Sequence, residues 1–278
     1  MKKTLNINGD IFDLSIPKVM GVLNATPDSF YDKSRLGNSR KALESIINNM
    51  VASGVDIIDV GGYSTRPGAD DVSVAEEINR VLPVVKLVKS LYPNIPISID
   101  TFRSEVAEEA VDEGADIIND ISGGTLDKNM SIVVSKLKVP YILTHNRGTP
   151  KGMQAQAVYR NVVTDVLTEL KQRLLFFEEK GVKDIIIDVG FGFAKNVEQN
   201  FQLLHSLESF QSLNRPIIVG VSRKSMIWKT LQSSPKEALN GTTALNMYAL
   251  SKGASILRVH DVREAKEVVT LFSKMANR

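Results

Sequence analysis

Eight short apolar runs, each closing on a polar residue, constrain this chain more than any other feature. They are VMGVLN (19–24), IIDVGG (57–62), PISID (96–100), IIND (117–120), PYILTH (140–145), IIIDVG (185–190), PIIVGVS (216–222) and SILRVH (255–260). Val and Ile run through them without the polar alternation of a half-exposed strand, so each reads as a strand buried on both faces. Helical periodicity fills the intervals, at about 38–53, 73–91, 103–113, 128–137, 158–180, 197–208, 236–252 and 262–276. Either an open doubly wound sheet or a closed (β/α)8 TIM barrel would satisfy that rhythm. The count of eight, and the lack of GxGxxG after the first run, favour the α/β barrel. A length of 278 residues suits one barrel of about 250 residues, and no linker or composition shift interrupts it. One domain over 1–278 is expected.

Residues 1–18 break the rhythm. TLNINGDIFDLS alternates around Asn8-Gly9, a two-residue hairpin turn, and reads as a small cap on the N-terminal face of the barrel. Ser73 is placed to cap the helix that follows, and Thr101 or Ser104 to open the next. Gly54, Gly114, Gly181 and Gly253 sit just past helices, where a left-handed residue is wanted. The loops from Thr26 to Gly37 and from Ser64 to Ala69 are long, polar and Gly/Pro/Ser-rich. At a barrel mouth such loops are expected to be mobile and functional.

Composition excludes several classes. With no cysteine there is no disulfide, thiolate metal site or Cys nucleophile. A formal charge of +2, with Lys and Arg dispersed, gives no track for nucleic acid. No leader-like apolar segment follows Lys2-Lys3, and no stretch approaches the roughly 18 residues of a membrane span. A cytoplasmic protein is expected.

The strand ends carry the chemistry. Asn24, Asp100, Asn119, Asp120, His145, Asp188, Ser222, Arg258 and His260 close the runs, and a parallel barrel gathers such ends around one mouth. Asp100, Asn119 and Asp188 would converge on one cavity, where buried carboxylates need donors. A planar heterocycle with an amino group beside a ring N–H provides them as a two-pronged pair. Asp120 and Thr101 are better read as caps of the following helices. Lys224, Arg258 and His260, with Arg66 from the second loop, suit a phosphorylated or pyrophosphorylated substrate. The alternative for any of them is a salt bridge to Asp188 or Asp261. The three histidines, 145, 205 and 260, show no zinc spacing. A Mg2+ held mostly by pyrophosphate, with one protein oxygen such as that of Asn24, remains compatible.

GVLNATPDSFYD, DVGGYSTRPGA, ISIDTFRSEVAEEAVDEGADIINDISGG, HNRGTPKGMQ, IDVGFGFAKN, VGVSRKSMI and LNGTTALNMYALSKGASILRVHDV together resemble the motif series of the bacterial dihydropteroate synthases, pterin-binding barrels. The resemblance covers about residues 19–265. It implies a transferase joining 6-hydroxymethyl-7,8-dihydropterin pyrophosphate to para-aminobenzoate, with Mg2+, to give 7,8-dihydropteroate and pyrophosphate. By motif position, Asp100, Asn119, Asp188 and Lys224 would hold the pterin, and Arg258 would lie against its face. Asn24, Arg66, Arg258 and His260 would handle the pyrophosphate and its Mg2+. Thr65, Phe193, Ser222 and Lys224 would shape the aminobenzoate pocket, which sulfonamides occupy in this family. The resemblance also implies a dissociative reaction and a homodimer built through the last barrel helices.

The chain departs from the family pattern at Tyr63, where Glu is common, at Val189, and at Thr144-His145-Asn146-Arg147, where a Met usually precedes the His. Asn146 and Arg147 are expected to alter the pterin-pocket wall or exit. Competing readings are a methyltetrahydrofolate:corrinoid methyltransferase and a non-catalytic pterin-binding homologue. NATPDSF, STRPG and SRKS argue against the first, and the presence of Asn24, Arg66, Lys224 and Arg258 argues against the second.

Overall fold

The structure, a computed structural model, describes residues 3–25, 36–63, 72–149 and 152–276. The chain opens with an antiparallel hairpin, β1 (Thr4–Ile7) and β2 (Asp10–Asp13), in which Ile7 faces Asp10 across the turn. Asn8 and Gly9 take φ of 53° and 92°, the left-handed pair that such a turn requires. Then come β3 (Lys18–Asn24), β4 (Ile57–Gly61), β5 (Ile97–Asp100), β6 (Ile117–Asp120), β7 (Tyr141–Thr144), β8 (Ile185–Asp188), β9 (Ile217–Val219) and β10 (Ile256–Val259). All run parallel, and β10 pairs back onto β3 to close an eight-stranded barrel.

Helices α1 (Leu36–Ala52), α2 (Val74–Leu91), α3 (Ser104–Asp112), α4 (Met130–Leu137), α5 (Val162–Glu179) and α6 (Val197–His205) alternate with the strands. A short α7 (Ser225–Thr230) precedes α8 (Leu239–Ser251), and α9 (Val262–Met275) ends the described chain. No helix among the described residues is long and apolar enough to cross a membrane.

Strand alternation divides the apolar residues into two cores. Ile58, Val60, Ile97, Ile99, Tyr141, Leu143, Ile185 and Ile187 pack outward against the helices. Met20, Ile57, Ile117, Ile142, Ile186, Ile218 and Ile256 fill the lower lumen, where Leu5, Ile7 and Leu14 of the hairpin segment plug it from below. Asp116, 2% exposed, fastens that plug by accepting from Asn8 Nδ2 at 2.5 Å, the backbone N–H of Ile97 at 2.7 Å and Lys89 Nζ at 2.8 Å. The hairpin is therefore a cap on the N-terminal face, as its pattern implies, and the opposite end is left for chemistry.

Several element boundaries differ from the sequence reading for local reasons. Helix α5 starts at Val162 because the Asn161 side chain accepts from Thr164 N, while Tyr159 is held outside the helix by the carbonyl of Ala194. Ser73 caps α2 as expected, whereas α3 has no side-chain cap from Thr101. Instead the carboxylate of Asp127 accepts from Ser104 N at 2.7 Å, and Thr101 Oγ1 accepts from Arg103 N. Asp120 caps no helix either. It lies buried, accepting from Ser122 N, Gly124 N and the Tyr141 hydroxyl, and so shapes the turn after β6.

Candidate active site

Above the isoleucine layer the lumen becomes polar. Residues two apart on a strand share a face, so Asp59 follows Ile57 inward, Asn119 follows Ile117, Asp188 follows Ile186 and Arg258 follows Ile256. On β5 the outward Ile97 and Ile99 turn Ser98 and Asp100 inward. Arg258 ties this layer together. Its Nε donates to Asp59 Oδ2 at 2.7 Å, and its Nη2 lies 2.6 Å from the same oxygen and 2.5 Å from Asp100 Oδ2. Asn119 Nδ2 donates to Asp59 at 3.2 Å, which leaves the side-chain amide oxygen of Asn119 for a ligand. Burial, reinforced by the Asp59 charge and opposed by Arg258, pushes Asp100 up to about 7. Burial works against charge on Arg258 too, but the two carboxylates outweigh it and hold the guanidinium protonated.

The loop after β8 forms the neighbouring wall. Asp188 accepts from Gly190 N through Oδ1 at 2.8 Å. Gly190 has φ of 72°, and a Cβ there would fall 1.9 Å from the His145 carbonyl oxygen, so no other residue fits. The next carbonyls are each held by a side chain. Lys195 Nζ donates to Gly190 O and Phe193 O, both at 2.9 Å, and Lys224 Nζ donates to Phe191 O. Gln154 Nε2 holds Gly192 O at 3.1 Å, and the Tyr159 hydroxyl holds Ala194 O at 3.0 Å. The loop is thereby rigid, and it carries Phe193 with its ring centroid 4.8 Å from Lys224 Nζ. Burial lowers Lys224 to about 8.

Behind this loop runs a buried relay. Lys195 Nζ lies 3.0 Å from His145 Nδ1, and His145 Nε2 lies 3.1 Å from Glu169 Oε2. A neutral imidazole with its proton on Nε2 satisfies both contacts, and it gives the lysine its third acceptor. Burial, then the charge of Lys195, lowers His145 to about 3. Burial pushes Glu169 up, but hydrogen bonds from His145 and Arg147 prevail and hold it at about 2. The unfolded chain thus takes up the His145 proton first, between pH 6.5 and 3. Folding stability is therefore expected to drop as pH falls through that window, by about 2 kcal/mol on this residue's account at pH 5. Urea unfolding at pH 7 and pH 5 checks this. A pH dependence that stays the same in His145→Gln would sink it.

Comparison with known proteins matches this geometry. A family model described as pterin binding enzyme matches residues 20–260. The dihydropteroate synthase of Haemophilus influenzae is 41% identical over 275 residues, covering 98% of this chain and 99% of the relative. A solved Xanthomonas albilineans dihydropteroate synthase with 4-aminobenzoic acid superposes at a TM-score of 0.91, with 34% identity and all of both chains covered. The same organism's enzyme in complex with 7,8-dihydropteroate gives 0.87, with 32% identity and 99% of each chain covered. This chain belongs to the pterin-binding enzyme family.

Within that family frame, most of the residues singled out in the sequence come together. Asp100, Asn119, Asp188 and Arg258 share the lumen. Lys224 and Phe193 adjoin it through the β8 loop, and Asn24 stands exposed at the end of β3, in register with Gly61. Ser222 Oγ and His260 Nδ1 lie 3.0 Å apart. Thr65 and Arg66 fall outside the described residues.

Some expectations fail. His145 and Asp120 do not face the mouth: adjacent strand residues alternate in direction, and these two turn toward α5 and Tyr141. Arg147 also points away from the lumen, pairing with Glu169 and lying 4.0 Å from the Tyr159 ring centroid, so it does not reshape a pterin wall. Arg258 pairs with Asp59 and Asp100, whereas Asp261 is taken by Arg223. Tyr63 packs edge-on against Phe102 at 5.2 Å, with the Arg103 guanidinium over both rings.

Sequence reasoning missed Asp59, Lys195 and Glu169. Asp59 left one signal: it is a charge in the middle of an otherwise apolar strand, which a core position tolerates only with a partner.

Proposed function

We infer that this chain catalyses the dihydropteroate synthase reaction, joining 6-hydroxymethyl-7,8-dihydropterin pyrophosphate to para-aminobenzoate to give 7,8-dihydropteroate and pyrophosphate. The observation that carries the reading is the lumen itself. Open acceptors on Asn119 and Asp188 stand beside a guanidinium locked by two carboxylates, in a family whose solved members hold 4-aminobenzoic acid and 7,8-dihydropteroate. Asp188 and Asn119 accept from the pterin amino group and ring N–H, Lys224 donates to the ring, and Arg258 lies against its face. Asp100 reaches the pterin while keeping Arg258 in place. Arg66, Arg258 and His260 draw charge from the pyrophosphate, and Thr65, Phe193, Ser222 and Lys224 form the aminobenzoate pocket, where sulfonamides would also bind.

The reaction then needs no protein nucleophile. The C–O bond between the pterin methylene and pyrophosphate breaks, and the electron pair departs with the pyrophosphate. The ring stabilises the resulting carbocation, the aniline nitrogen bonds to that carbon, and it loses a proton. The protein's work is positioning and charge stabilisation in a closed site.

Mg2+ belongs to this reading. Asn24 offers one exposed amide oxygen at the mouth, and no cluster of three His, Asp or Glu stands among the described residues. That donor set fits an ion whose other ligands are pyrophosphate oxygens and water, and when bound it would neutralise leaving-group charge. A cytoplasmic homodimer completes the proposal. Ala244, Met247, Tyr248, Phe272 and Met275 line an apolar groove between α8 and α9 that a second copy could cover.

The test is product formation from the two substrates with and without Mg2+. Metal-dependent dihydropteroate supports the reading. Pterin binding without product would overturn it in favour of a methyltransferase or a binding protein. Because the charged Lys224 ammonium is a much stronger donor than the neutral amine, kcat/KM for the pterin substrate is expected to fall as pH rises through about 8, the value to which burial lowers it. A profile flat from pH 7 to 9.5 would remove Lys224 from that role.

A further inference from the structure

Thr144 closes β7, and its side chain is 1% exposed with Oγ1 lacking any hydrogen-bond partner. Tyr141 and Leu143 pack on the helix side and Ile142 fills the lumen, so alternation turns Thr144 into the lumen, one same-face position nearer the mouth than Ile142. Its register partner on β8 is Asp188, and Asn119 on β6 is in register with Ile142. The hydroxyl therefore stands beside the two groups whose free oxygens await a ligand. Neighbouring strands lie about 4.8 Å apart, so one planar bicycle can touch all three.

Nothing in the fold asks for a hydroxyl here. Valine would fill the same space without burying an unpaired polar atom, which is costly. The position is also held firmly. Gly123, at φ of 58°, lies so close that a Cβ would come within 2.5 Å of the Thr144 carbonyl oxygen. Arg173 ties the two flanking loops together, donating to Ser122 O at 3.3 Å and Asn146 O at 3.1 Å.

Asn119 turns its amide Nδ2 toward Asp59, so its oxygen is the atom left beside Thr144, and the side-chain oxygens of Asp188 serve as acceptors. The Thr144 hydroxyl thus adds a donor between the two acceptors of Asp188 and Asn119. We propose that Thr144 is a specificity-determining residue of the pterin pocket, donating to a ring nitrogen or oxo group next to the N–H groups that Asp188 and Asn119 accept. This rests on the pterin reading above. A heterocycle with a C–H at that place would leave the hydroxyl unpaired and be rejected.

Calorimetric titration with 6-hydroxymethyl-7,8-dihydropterin tests it in wild type, Thr144→Val and Thr144→Ser. Valine keeps the shape and removes the hydroxyl; serine keeps the hydroxyl and removes the methyl. The expected result is affinity reduced about 5- to 10-fold in Thr144→Val and unchanged within about 2-fold in Thr144→Ser. The KM for para-aminobenzoate should stay at the wild-type value in both. Equal affinity in wild type and Thr144→Val, or an equal loss in both variants, would overturn the proposal while leaving the pterin reading intact. Failure of the wild type itself to bind the probe would overturn both.

Discussion

Asp188→Ala is expected to weaken binding of the bare pterin at least about 100-fold. The carboxylate can accept a two-pronged pair, since Oδ1 keeps a lone pair beyond the one given to Gly190 N and Oδ2 has no partner among the described residues. Two charge-assisted hydrogen bonds at about 1.5–3 kcal/mol each would place the loss near the upper end of what one side chain can cause. Alanine also frees Gly190 N and slackens the loop that carries Phe193. Asp188→Asn separates these effects, because its amide oxygen can still accept from Gly190 N while the second acceptor becomes a donor. Calorimetry on both variants decides: if Asp188→Asn binds pterin like the wild type, Asp188 serves the loop and not the ligand.

The largest stability effect is expected at Arg258. Replacing it with Met keeps most of the stem volume but leaves Asp59 and Asp100 buried side by side without their cation. Breaking a buried pair in this way typically costs about 3–5 kcal/mol, a large share of a domain's total stability. The sign of the pH dependence is a second check. Unpaired carboxylates bind protons more strongly in the folded state than in the unfolded chain, so the deficit of Arg258→Met should shrink as pH falls from 7 to 5. The acid loss assigned to His145 is common to both proteins and drops out of the difference. Adding Asp59→Asn to Arg258→Met should restore part of the stability. Urea unfolding of the single and double variants at both pH values measures this, and a deficit independent of pH would mean the carboxylates are not its source.

These two residues differ in how far the chain announced them. Asp188 ends an apolar run and is followed by a glycine-rich loop, so its place at the mouth end of the barrel follows from strand geometry, though not the side to which it turns. The partners of Arg258 could not be read, because Asp59 lies 199 residues away along the chain. Asn119 and Asp120 show the limit most plainly. Both are polar and both end β6, yet one faces the lumen and the other the Tyr141 hydroxyl. In a strand buried on both faces no polar alternation marks which side is inward, so the phase of the pattern is missing although its period is known.

The relay of Lys195, His145 and Glu169 was invisible for a related reason. Its members come from the β8 loop, the end of β7 and the middle of α5, and only packing reveals that they share one buried space. The eight strands, their alternation with helices, the capping hairpin and the polar residues at the strand ends were legible, since each depends on local periodicity and turn chemistry, and the count of eight pointed to closure. Which polar side chains meet in the lumen, and which serve the wall behind it, depended on strand register and on pairings between distant segments. Local sequence carries no record of those, because the energy of a buried ion pair resides in the distance between its members in space.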